Sequence, residues 1–332
     1  MKFIRSILFP IVPIYYLVTW LRNKLYDTGI ISSKSYDFPV ICVGNLSTGG
    51  TGKTPMIEYL IRLLKDEKSL AILSRGYKRK SEGFVLADKN ATVNSIGDEP
   101  FQFFRKYEGI QVAVDANRQN GIEQLVTSNS KPDVILLDDA YQHRKVKAGF
   151  NILLTAYNNL YYKDIVLPTG NLREPRSGAR RADVIVVTKC KKDISEAEKR
   201  EISSKLKLEN HQKAFFSYID YANSVISDNT TLDLNTLPKF TLVTGIANAK
   251  PLVDFLETKG LSFDHLEYND HYSFRALDIE TLRSKSLIIT TEKDYVRLSV
   301  NEELKDKLYY LPIQIKIDNQ ELFDYTIKSY IN

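Results

Sequence analysis

The chain has 332 residues, of which 43% are hydrophobic and 26% carry a charged side chain. This length and apolar fraction exclude a disordered chain and predict about two globular domains, each with its own core. The formal net charge of +5, from 46 basic and 41 acidic residues, argues against a dedicated nucleic-acid-binding protein but permits attraction to anionic lipid. The two cysteines, Cys42 and Cys190, show no C-x-x-C spacing, which excludes a disulfide framework and predicts buried, reduced thiols in a cytosolic compartment.

The N-terminal segment from Ser6 to Leu21 contains 16 uncharged residues, and cations flank it on both sides: Lys2, Arg5, Arg22 and Lys24. A single spanning helix needs about 20 residues, and Pro10 and Pro13 disfavour a straight helix. No small-residue cleavage site follows, so a secretory signal peptide is not predicted. Its aromatic residues and flanking cations are typical of a membrane interface. We therefore predict a helix or helical hairpin in the cytoplasmic face of a membrane, with a core-packed helix and a true span as alternatives.

A glycine-dense turn lies between a β-branched run, Val40 to Val43, and a predicted helix, Met56 to Leu64. Strand, turn and helix N-terminus bring free backbone N–H groups and the positive end of the helix dipole to one point, which is a phosphate-binding geometry. In this P-loop pattern the Lys53 ammonium reaches the β- and γ-phosphates, and the Thr54 hydroxyl holds Mg²⁺. The consensus has glycine where this chain has Ser47, and the predicted nucleotide-binding residues are Ser47, Thr48, Gly49, Gly50, Thr51, Gly52, Lys53 and Thr54.

Two further predicted strands end in polar residues. The apolar run Ser69 to Ser74 leads to Arg75 and Tyr77, and the run Gln111 to Val114 leads to Asp115–Arg118. Ligands of open parallel sheets gather at the carboxyl ends of the strands, so these cations are placed to meet an anionic substrate. The segments between them are predicted as a hairpin at Phe84–Ala87, a loop at Ile96–Pro100, and helices at Phe101–Tyr107 and Ile122–Thr127.

The next apolar run, Asp133 to Leu137, leads directly into the acidic pair Asp138 and Asp139. A strand that ends in this way is typical of a Walker B site, where a carboxylate binds Mg²⁺ directly or through water. By itself an Asp-Asp pair after a strand also occurs as a turn signal. The preceding P-loop favours the metal-binding interpretation.

Unalternating apolar runs at residues 150–154 and 183–188 are typical of parallel strands covered on both faces. The loop between them carries Arg173, Arg176, Arg180 and Arg181, and it is either a solvated basic turn or a contact for phosphate or an acidic substrate. A charge-mixed helix is predicted at residues 195–213. A second α/β unit then follows, with strands at Phe240–Val243, Ser286–Thr290 and Leu308–Leu311.

These elements predict an α/β fold: a P-loop NTPase-like, mostly parallel sheet flanked by helices, a second smaller α/β lobe, and an N-terminal membrane-associated helical segment. The predicted limits are residues 1–26 for the membrane-associating segment, 27–215 for the P-loop kinase domain and 216–332 for the C-terminal α/β lobe. Polar residues typical of a domain boundary extend from about residue 210 to 238.

Together these motifs resemble the tetraacyldisaccharide 4′-kinase family, the lipid A kinases of Gram-negative bacteria. The matching blocks are Gly44–Pro55, Leu73–Tyr77, Gly97–Pro100, Asp115–Arg118, Leu137–His143, Gly170–Pro175, Asp270–His271 and Thr291–Asp294. The chain departs from the family pattern at two places. Ala140-Tyr141 stands where Gly-Phe is usual, and Tyr272 follows His271 where a second histidine is common.

The resemblance implies transfer of the γ-phosphoryl group of ATP to the 4′-hydroxyl of a tetraacyldisaccharide 1-phosphate in lipid A biosynthesis. A sugar hydroxyl needs a base to take its proton. The family match assigns this role to Asp98, although an aspartate there could also be a turn or N-cap residue. It assigns His271 as the orienting partner of Asp98, and Lys53 as a further catalytic residue. The implied metal ligands are Thr54, Asp138, Asp139 and Glu99, and the implied substrate-binding residues are Arg75, Tyr77, Asn117, Arg118, Gln142, His143, Arg173 and Glu174.

The implied cofactors are ATP and Mg²⁺. The expected partners are the acylated glucosamine disaccharide 1-phosphate and a membrane lipid surface, with no nucleic acid, and we expect a monomer. The expected location is the cytoplasmic face of the bacterial inner membrane, peripheral or monotopic through the N-terminal segment. Two alternatives share the phosphate site: a membrane-associated switch or assembly NTPase, and a scaffold that binds nucleotide without chemistry. Thr188-Lys189 resembles part of a guanine-binding motif, but Cys190 stands where that motif has aspartate.

Overall fold

A computed structural model of the chain describes residues 7–270 and 272–332. The described strands are β1 (Val40–Asn45), β2 (Leu70–Ser74), β3 (Val85–Leu86), β4 (Gln111–Val114), β5 (Val134–Asp138), β6 (Phe150–Ala156), β7 (Val184–Thr188), β8 (Lys213–Tyr221), β9 (Ser224–Ile226), β10 (Thr231–Asp233), β11 (Phe240–Thr244), β12 (Phe263–Glu267), β13 (Ile288–Thr290), β14 (Leu308–Tyr310) and β15 (Ile313–Ile317). The described α-helices are α1 (Val12–Asp27), α2 (Lys53–Leu64), α3 (Val93–Ile96), α4 (Asp98–Lys106), α5 (Arg118–Thr127), α6 (Glu196–Leu206), α7 (Lys250–Thr258), α8 (Ala276–Arg283), α9 (Glu292–Leu298) and α10 (Gln320–Ile331).

The larger sheet has nine strands in the order β15-β8-β7-β6-β1-β5-β2-β4-β3. The seven inner strands of this order, from β8 through β7, β6, β1, β5 and β2 to β4, run parallel to one another. The two edge strands, β15 and β3, pair antiparallel with β8 and β4. Strands β1, β2, β5 and β7 are buried along their whole length, because apolar side chains cover both faces of the sheet. The loops that follow these strands meet at one edge, where the P-loop, Arg75 and the acidic pair therefore converge.

The smaller sheet has six strands in the order β10-β9-β14-β13-β11-β12, and β11 to β14 are parallel. Its strands pack against separate apolar clusters around Leu242 and Val243. We call the unit around the larger sheet the larger lobe and the unit around the smaller sheet the smaller lobe. The predicted α/β class, with a mostly parallel sheet and a second α/β lobe, is confirmed.

The chain passes between the lobes more than once. Strand β8 crosses the predicted limit between residues 215 and 216 and belongs wholly to the larger sheet. After the smaller lobe, β15 pairs with β8, and α10 packs its side chains Phe323, Ile327 and Ile331 into the core of the larger lobe. The domain limits stay a prediction, and the sheet topology assigns the last twenty residues (313–332) to the larger lobe.

Several elements begin or end away from their predicted limits. Helix α4 begins at Asp98 rather than Phe101, since Gly97 adopts a φ of +91° and turns the chain directly from α3 into α4. Helix α5 begins at Arg118 rather than Ile122, and α6 ends at Leu206, before the predicted end at residue 213. The predicted hairpin at residues 84–87 is a single edge strand, β3, paired with β4.

The N-terminal helix α1 lies on the larger lobe with one face uncovered. Val12 and Tyr15 pack against its core, while Ile14, Leu17 and Val18 are each about 60% exposed. Within residues 7–270 and 272–332, no helix combines the length and the apolar content that crossing a membrane requires. The predicted flanking cations Lys2 and Arg5 lie outside the described residues.

Candidate active site

The phosphate loop connects β1 to α2, and side chains from outside the loop donate hydrogen bonds to its backbone carbonyls. Gly52 is the N-cap residue of α2 with a φ of +89°, a conformation that favours glycine. The Thr188 hydroxyl donates to the Thr51 carbonyl at 2.7 Å, and Lys189 Nζ donates to the Gly50 carbonyl at 2.7 Å. Thr188 and Lys189, which resembled part of a guanine-binding motif, therefore support the loop that would cradle a phosphate.

Asp138 is the last residue of β5, next to β1, and its side chain is buried. The Ser74 hydroxyl donates to its Oδ2 at 3.0 Å, whereas its Oδ1 has no hydrogen-bond partner among the described residues. Burial and the neighbouring carboxylates Glu99 and Asp139 raise the pKa of Asp138. A buried carboxylate oxygen without a donor is costly unless a cation binds it, so this atom fits a Mg²⁺ ligand.

Asp139 has a φ of +48°, which is unusual for a residue other than glycine. This backbone aims its carboxylate between two cations, Lys53 Nζ at 3.6 Å and Arg173 Nη1 at 3.0 Å. Burial opposes ionisation of Asp139, but Lys53 and Arg173 outweigh it and lower the pKa of the carboxyl group. The strained residue thus brings the P-loop lysine and the arginine of the loop at 170–175 to one carboxylate.

Thr54 follows Lys53 in the first turn of α2 and lines the same cavity as the P-loop. Among the residues that the structure describes, no group of three or more His, Cys, Asp or Glu side chains could hold a metal ion. Mg²⁺ is commonly bound by one or two protein oxygens together with water and nucleotide phosphates. Thr54 and Asp138 fit that kind of site, with Asp139 and Glu99 nearby.

The acidic start of α4 faces helix α9 of the smaller lobe. Arg297 Nε lies 3.2 Å from Asp98 Oδ2, and Lys293 Nζ lies 3.7 Å from Glu99 Oε1. Lys293 Nζ also lies 3.9 Å from Asp270 Oδ1, in the segment that leads to position 271. The predicted partner of Asp98, His271, lies outside the described residues.

The predicted substrate residues after β2 and β4 differ in exposure. Arg75, Tyr77 and Asn117 are exposed, whereas Arg118 is buried and donates to the Asp115 carbonyl at 3.1 Å. Burial lowers the pKa of Arg118 despite the neighbouring acids. The exposed groups can therefore contact a ligand directly, while Arg118 contributes a positive charge from beneath them.

Glu174 is buried and already engaged by protein groups. Arg181 donates to both of its oxygens at 3.0 and 2.8 Å, and Gln142 Nε2 donates to Oε1 at 3.0 Å. Asn23 of α1 donates to Oε2, and Gln142 Nε2 also reaches the Asn45 carbonyl at 2.8 Å. Glu174 therefore ties the N-terminal helix to the loop that carries Arg173, rather than presenting an open carboxylate.

His143 lies half-buried among cations. Burial, with Arg118, Lys145, Arg22 and Arg75, lowers the pKa of its imidazole to about 4. The ring is consequently neutral near pH 7, where it can donate and accept a hydrogen bond. The cations around it form a basic region suited to an anionic substrate.

A cavity of about 370 Å³ lies between the two lobes. One wall is the P-loop from Gly50 to Pro55, and the opposite wall includes Asp270 and Lys293 of the smaller lobe. An apolar part of its lining includes Ile219, Tyr221, Leu252, Leu311, Ile313 and Ile315. A polar phosphate end beside an apolar slot is the expected shape of a nucleotide site.

Comparison with known proteins gives the same answer as the geometry. Residues 4–332 match the family described as Tetraacyldisaccharide-1-P 4'-kinase. This chain belongs to that family. The tetraacyldisaccharide 4'-kinase of Flavobacterium johnsoniae is 54% identical over 337 residues, which cover 100% of this chain and 98% of the relative. The same enzyme of Phocaeicola vulgatus is 44% identical over 345 residues, covering 98% and 94% of the two chains.

A solved structure agrees over the whole fold. LpxK from Aquifex aeolicus in complex with ATP superposes with a TM-score of 0.80 at 29% sequence identity, and the match covers 99% of this chain and 100% of that one. The predicted family is therefore confirmed, and with it the kinase class and ATP as cofactor. The individual site residues stay predictions.

Sequence reasoning missed Arg297 and Asn23, and it did not predict that Lys189 supports the phosphate loop. Arg297 lies three residues after Asp294 on α9, a spacing that places both on one helix face, but no motif connects it to Asp98. Asn23 lies in the segment 1–26, which was predicted to associate with a membrane. Their roles depend on contacts between segments far apart in sequence.

Proposed function

We propose that this chain is a Mg²⁺-dependent kinase that transfers the γ-phosphoryl group of ATP to the 4′-hydroxyl of a tetraacyldisaccharide 1-phosphate. The observation that carries the proposal is the phosphate site of Lys53 with Asp138 and Asp139, within electrostatic reach of Glu99 next to Asp98. Phosphoryl transfer needs charge neutralisation and in-line positioning more than covalent chemistry. Lys53 would supply charge neutralisation, and the backbone of the P-loop would position the transferred phosphoryl group.

The donor end binds the ATP phosphates through backbone N–H groups of the P-loop and the Lys53 ammonium. Lys53 exchanges its partner Asp139 for phosphate oxygens when ATP binds. Mg²⁺, held by Thr54 and Asp138 with Asp139 and Glu99 around them, would supply neutralisation of the charge on the transferred group. The apolar wall of the cavity suits the purine ring.

The acceptor end activates the sugar hydroxyl. Asp98 takes the proton of the 4′-hydroxyl as its oxygen forms a bond to the γ-phosphorus and the bond to the bridging β–γ oxygen breaks. His271 orients Asp98. Arg75, Tyr77, Asn117 and Gln142 contact the disaccharide, and the cations around His143 attract its 1-phosphate.

The enzyme acts as a monomer on the cytoplasmic face of the bacterial inner membrane. The uncovered face of α1, with Ile14, Leu17 and Val18, enters the lipid interface, which brings the acyl chains of the substrate to the cleft. The polar contacts of α1 with Arg173 and Glu174 connect that surface to the loop at residues 170–175. This arrangement suits a substrate that stays in the membrane.

The test is incubation of the protein with γ-labelled ATP, Mg²⁺ and the tetraacyldisaccharide 1-phosphate in mixed micelles. We expect labelled lipid, and a much lower rate of labelling with a Lys53→Ala variant. ATP turnover that needs no lipid and labels none would contradict the proposal and favour a switch or assembly NTPase.

A further inference from the structure

Helix α9 presents two cations to the larger lobe. Lys293 and Arg297 are four residues apart, so their side chains lie on the same helix face. Each meets one of two adjacent acids at the start of α4, Glu99 at 3.7 Å and Asp98 at 3.2 Å. Two ion pairs therefore connect the beginning of α4 to helix α9 of the smaller lobe.

Arg297 is fixed more firmly than Lys293. Only 9% of its side chain is exposed, and its Nη1 lies 3.3 Å from Asp294 Oδ1 and donates to the Tyr272 carbonyl at 3.1 Å. Asp294 is fully buried, and its Oδ2 accepts from the Gly245 N–H at 2.8 Å and from the Thr291 hydroxyl at 2.6 Å. If the Arg297 guanidinium turned away, the buried Asp294 carboxylate would lose the positive charge of Arg297 and keep only its hydrogen bonds from Gly245 and Thr291.

We propose that Arg297 is a positioning residue for the kinase reaction, which holds the Asp98 carboxylate against the segment that follows position 271. The proposal rests on the proposed role of Asp98 as the base. The planar fork of the Arg297 guanidinium lies at ion-pair distance from a carboxylate of the larger lobe and from a carboxylate of its own helix, and its Nη1 also donates to a backbone carbonyl of the smaller lobe. Arg297 thereby connects Asp98 of the larger lobe to the backbone of the smaller lobe at Tyr272.

The expected effect is on kcat rather than on ATP binding. Misplacing a catalytic group by about 1 Å can cost about 10²-fold, so we expect Arg297→Met to lower kcat by about 10- to 100-fold. The KM for ATP should change little, because the P-loop contacts lie within the larger lobe. Arg297→Lys keeps the charge but not the fork, and should recover only part of kcat.

The matched control is Arg105→Met. The Arg105 side chain also reaches from α4 to the smaller lobe, where it donates to the Ser299 hydroxyl at 3.0 Å and to Asp228 Oδ1 at 2.7 Å. It does not contact Asp98. Loss of this second link between the lobes should leave kcat near the wild-type value. An equal loss of kcat in both variants would mean that Arg297 only holds the lobes together, and would overturn the proposal.

A second measurement separates positioning from folding. In an Asp98→Ala background Arg297→Met should lower the residual kcat by no more than about threefold, since residues that act as one unit are non-additive. The same 10- to 100-fold loss in that background would overturn the proposal while leaving the base assignment intact. Near-normal kcat in Asp98→Ala alone would instead overturn the base assignment and this inference with it. If Arg297→Met does not unfold on heating as the wild type does, kcat of Arg297→Lys is compared in the wild-type and Asp98→Ala backgrounds instead.

Discussion

The two ends of the cleft are built in different ways. The phosphate end is one continuous segment from Asn45 to Thr54, and backbone hydrogen bonds tie it to the larger lobe, including Thr48 N–H to the Asn171 carbonyl at 2.7 Å. The acceptor end is made of side chains from both lobes, with Asp98 on α4 meeting Arg297 on α9. Backbone geometry fixes the first end, whereas the second exists only while the lobes keep their relative position.

This difference has a consequence for closure of the cleft. A small rotation between the lobes would leave the P-loop unchanged but would move Lys293 and Arg297 away from their acids. The acceptor end is therefore the part that domain motion can assemble or open, as in many enzymes that close over their substrates. The following changes test this contrast, from the largest expected effect to the smallest.

The largest effect should come from Asp98 at the acceptor end. A general base contributes about 10²–10⁴-fold, so Asp98→Ala should lower kcat by that order, and His271→Ala by less, with little change in the KM for ATP. Because the two act as one unit, the double variant should be hardly worse than Asp98→Ala. Multiplicative losses would show independent action, and His271 would then need another role.

Lys53→Ala tests the phosphate end. Removal of one preorganised charge that stabilises the transition state costs about 10²–10³-fold in kcat, and the backbone of the loop should stay intact. Steady-state kinetics would measure this loss, with Lys34→Ala as the control because its ion pair with Glu123 is exposed. Near-normal activity in Lys53→Ala would refute the P-loop assignment.

Membrane attachment should depend on the outer face of α1 and not on its inner face. Leu17→Asp and Val18→Asp place charges on side chains that are 59% and 60% exposed. Burial of such a residue is worth about 1.5–3 kcal/mol, so each change should lower vesicle partition by about tenfold or more. Leu277→Asp, at a 78% exposed site in the smaller lobe, is the control. Unchanged vesicle partition of both α1 variants would exclude the outer face of α1 as the membrane-binding surface.

These substitutions test attachment more cleanly than removal of residues 1–26. Tyr15 donates to the Arg173 carbonyl at 3.0 Å, and Arg22 donates to the Gln142 carbonyl at 3.0 Å. Removal of α1 would therefore disturb the acceptor end as well as the membrane contact. A truncated chain should lose kcat on lipid substrate in micelles, whereas Leu17→Asp should keep it.

His143 predicts a pH dependence of stability. Its pKa is lowered from 6.5 to about 4 by burial and neighbouring cations, so the unfolded chain binds more protons than the folded one between these values. The contribution of neutral His143 to the free energy of unfolding is fully present above pH 6.5 and is lost as the pH falls toward 4. His143→Gln should therefore lose less thermal stability than wild type between pH 6.5 and 4.5. Parallel curves for the two proteins would contradict this account.

The smallest effect should come from Tyr141, which stands where the family usually has Phe. Its hydroxyl donates to the Gly178 carbonyl at 2.8 Å, and Arg181 lies 4.5 Å above its ring. Tyr141→Phe keeps the stacking and should lower the free energy of unfolding by about 1 kcal/mol, with kcat unchanged. Chemical denaturation would measure it against Tyr325→Phe, an exposed control; a large loss of kcat would give Tyr141 a role in the site.

The sequence by itself determined the phosphate end almost completely. The P-loop residues are contiguous, and Asp138 and Asp139 follow a strand whose apolar run already predicts its neighbours in a parallel sheet. The predicted strands lie within one or two residues of the observed limits of β1, β2, β4 to β7, β11, β13 and β14, because periodicity and glycine turns are local signals. Strands β8, β9, β10, β12 and β15 were not predicted. The helices α4 and α5 began earlier than predicted, since Pro100 and polar residues obscured their first turns.

Only the tertiary structure decided how distant segments meet. It brought Arg297 to Asp98 across nearly 200 positions, returned β15 and α10 to the larger sheet, and joined Asn23 of α1 to Glu174. None of these pairings leaves a periodic or compositional signal, because each depends on the angle and register at which packed elements approach one another. A sequence motif specifies a backbone turn, but an ion pair between two lobes is specified only by the arrangement of the whole fold.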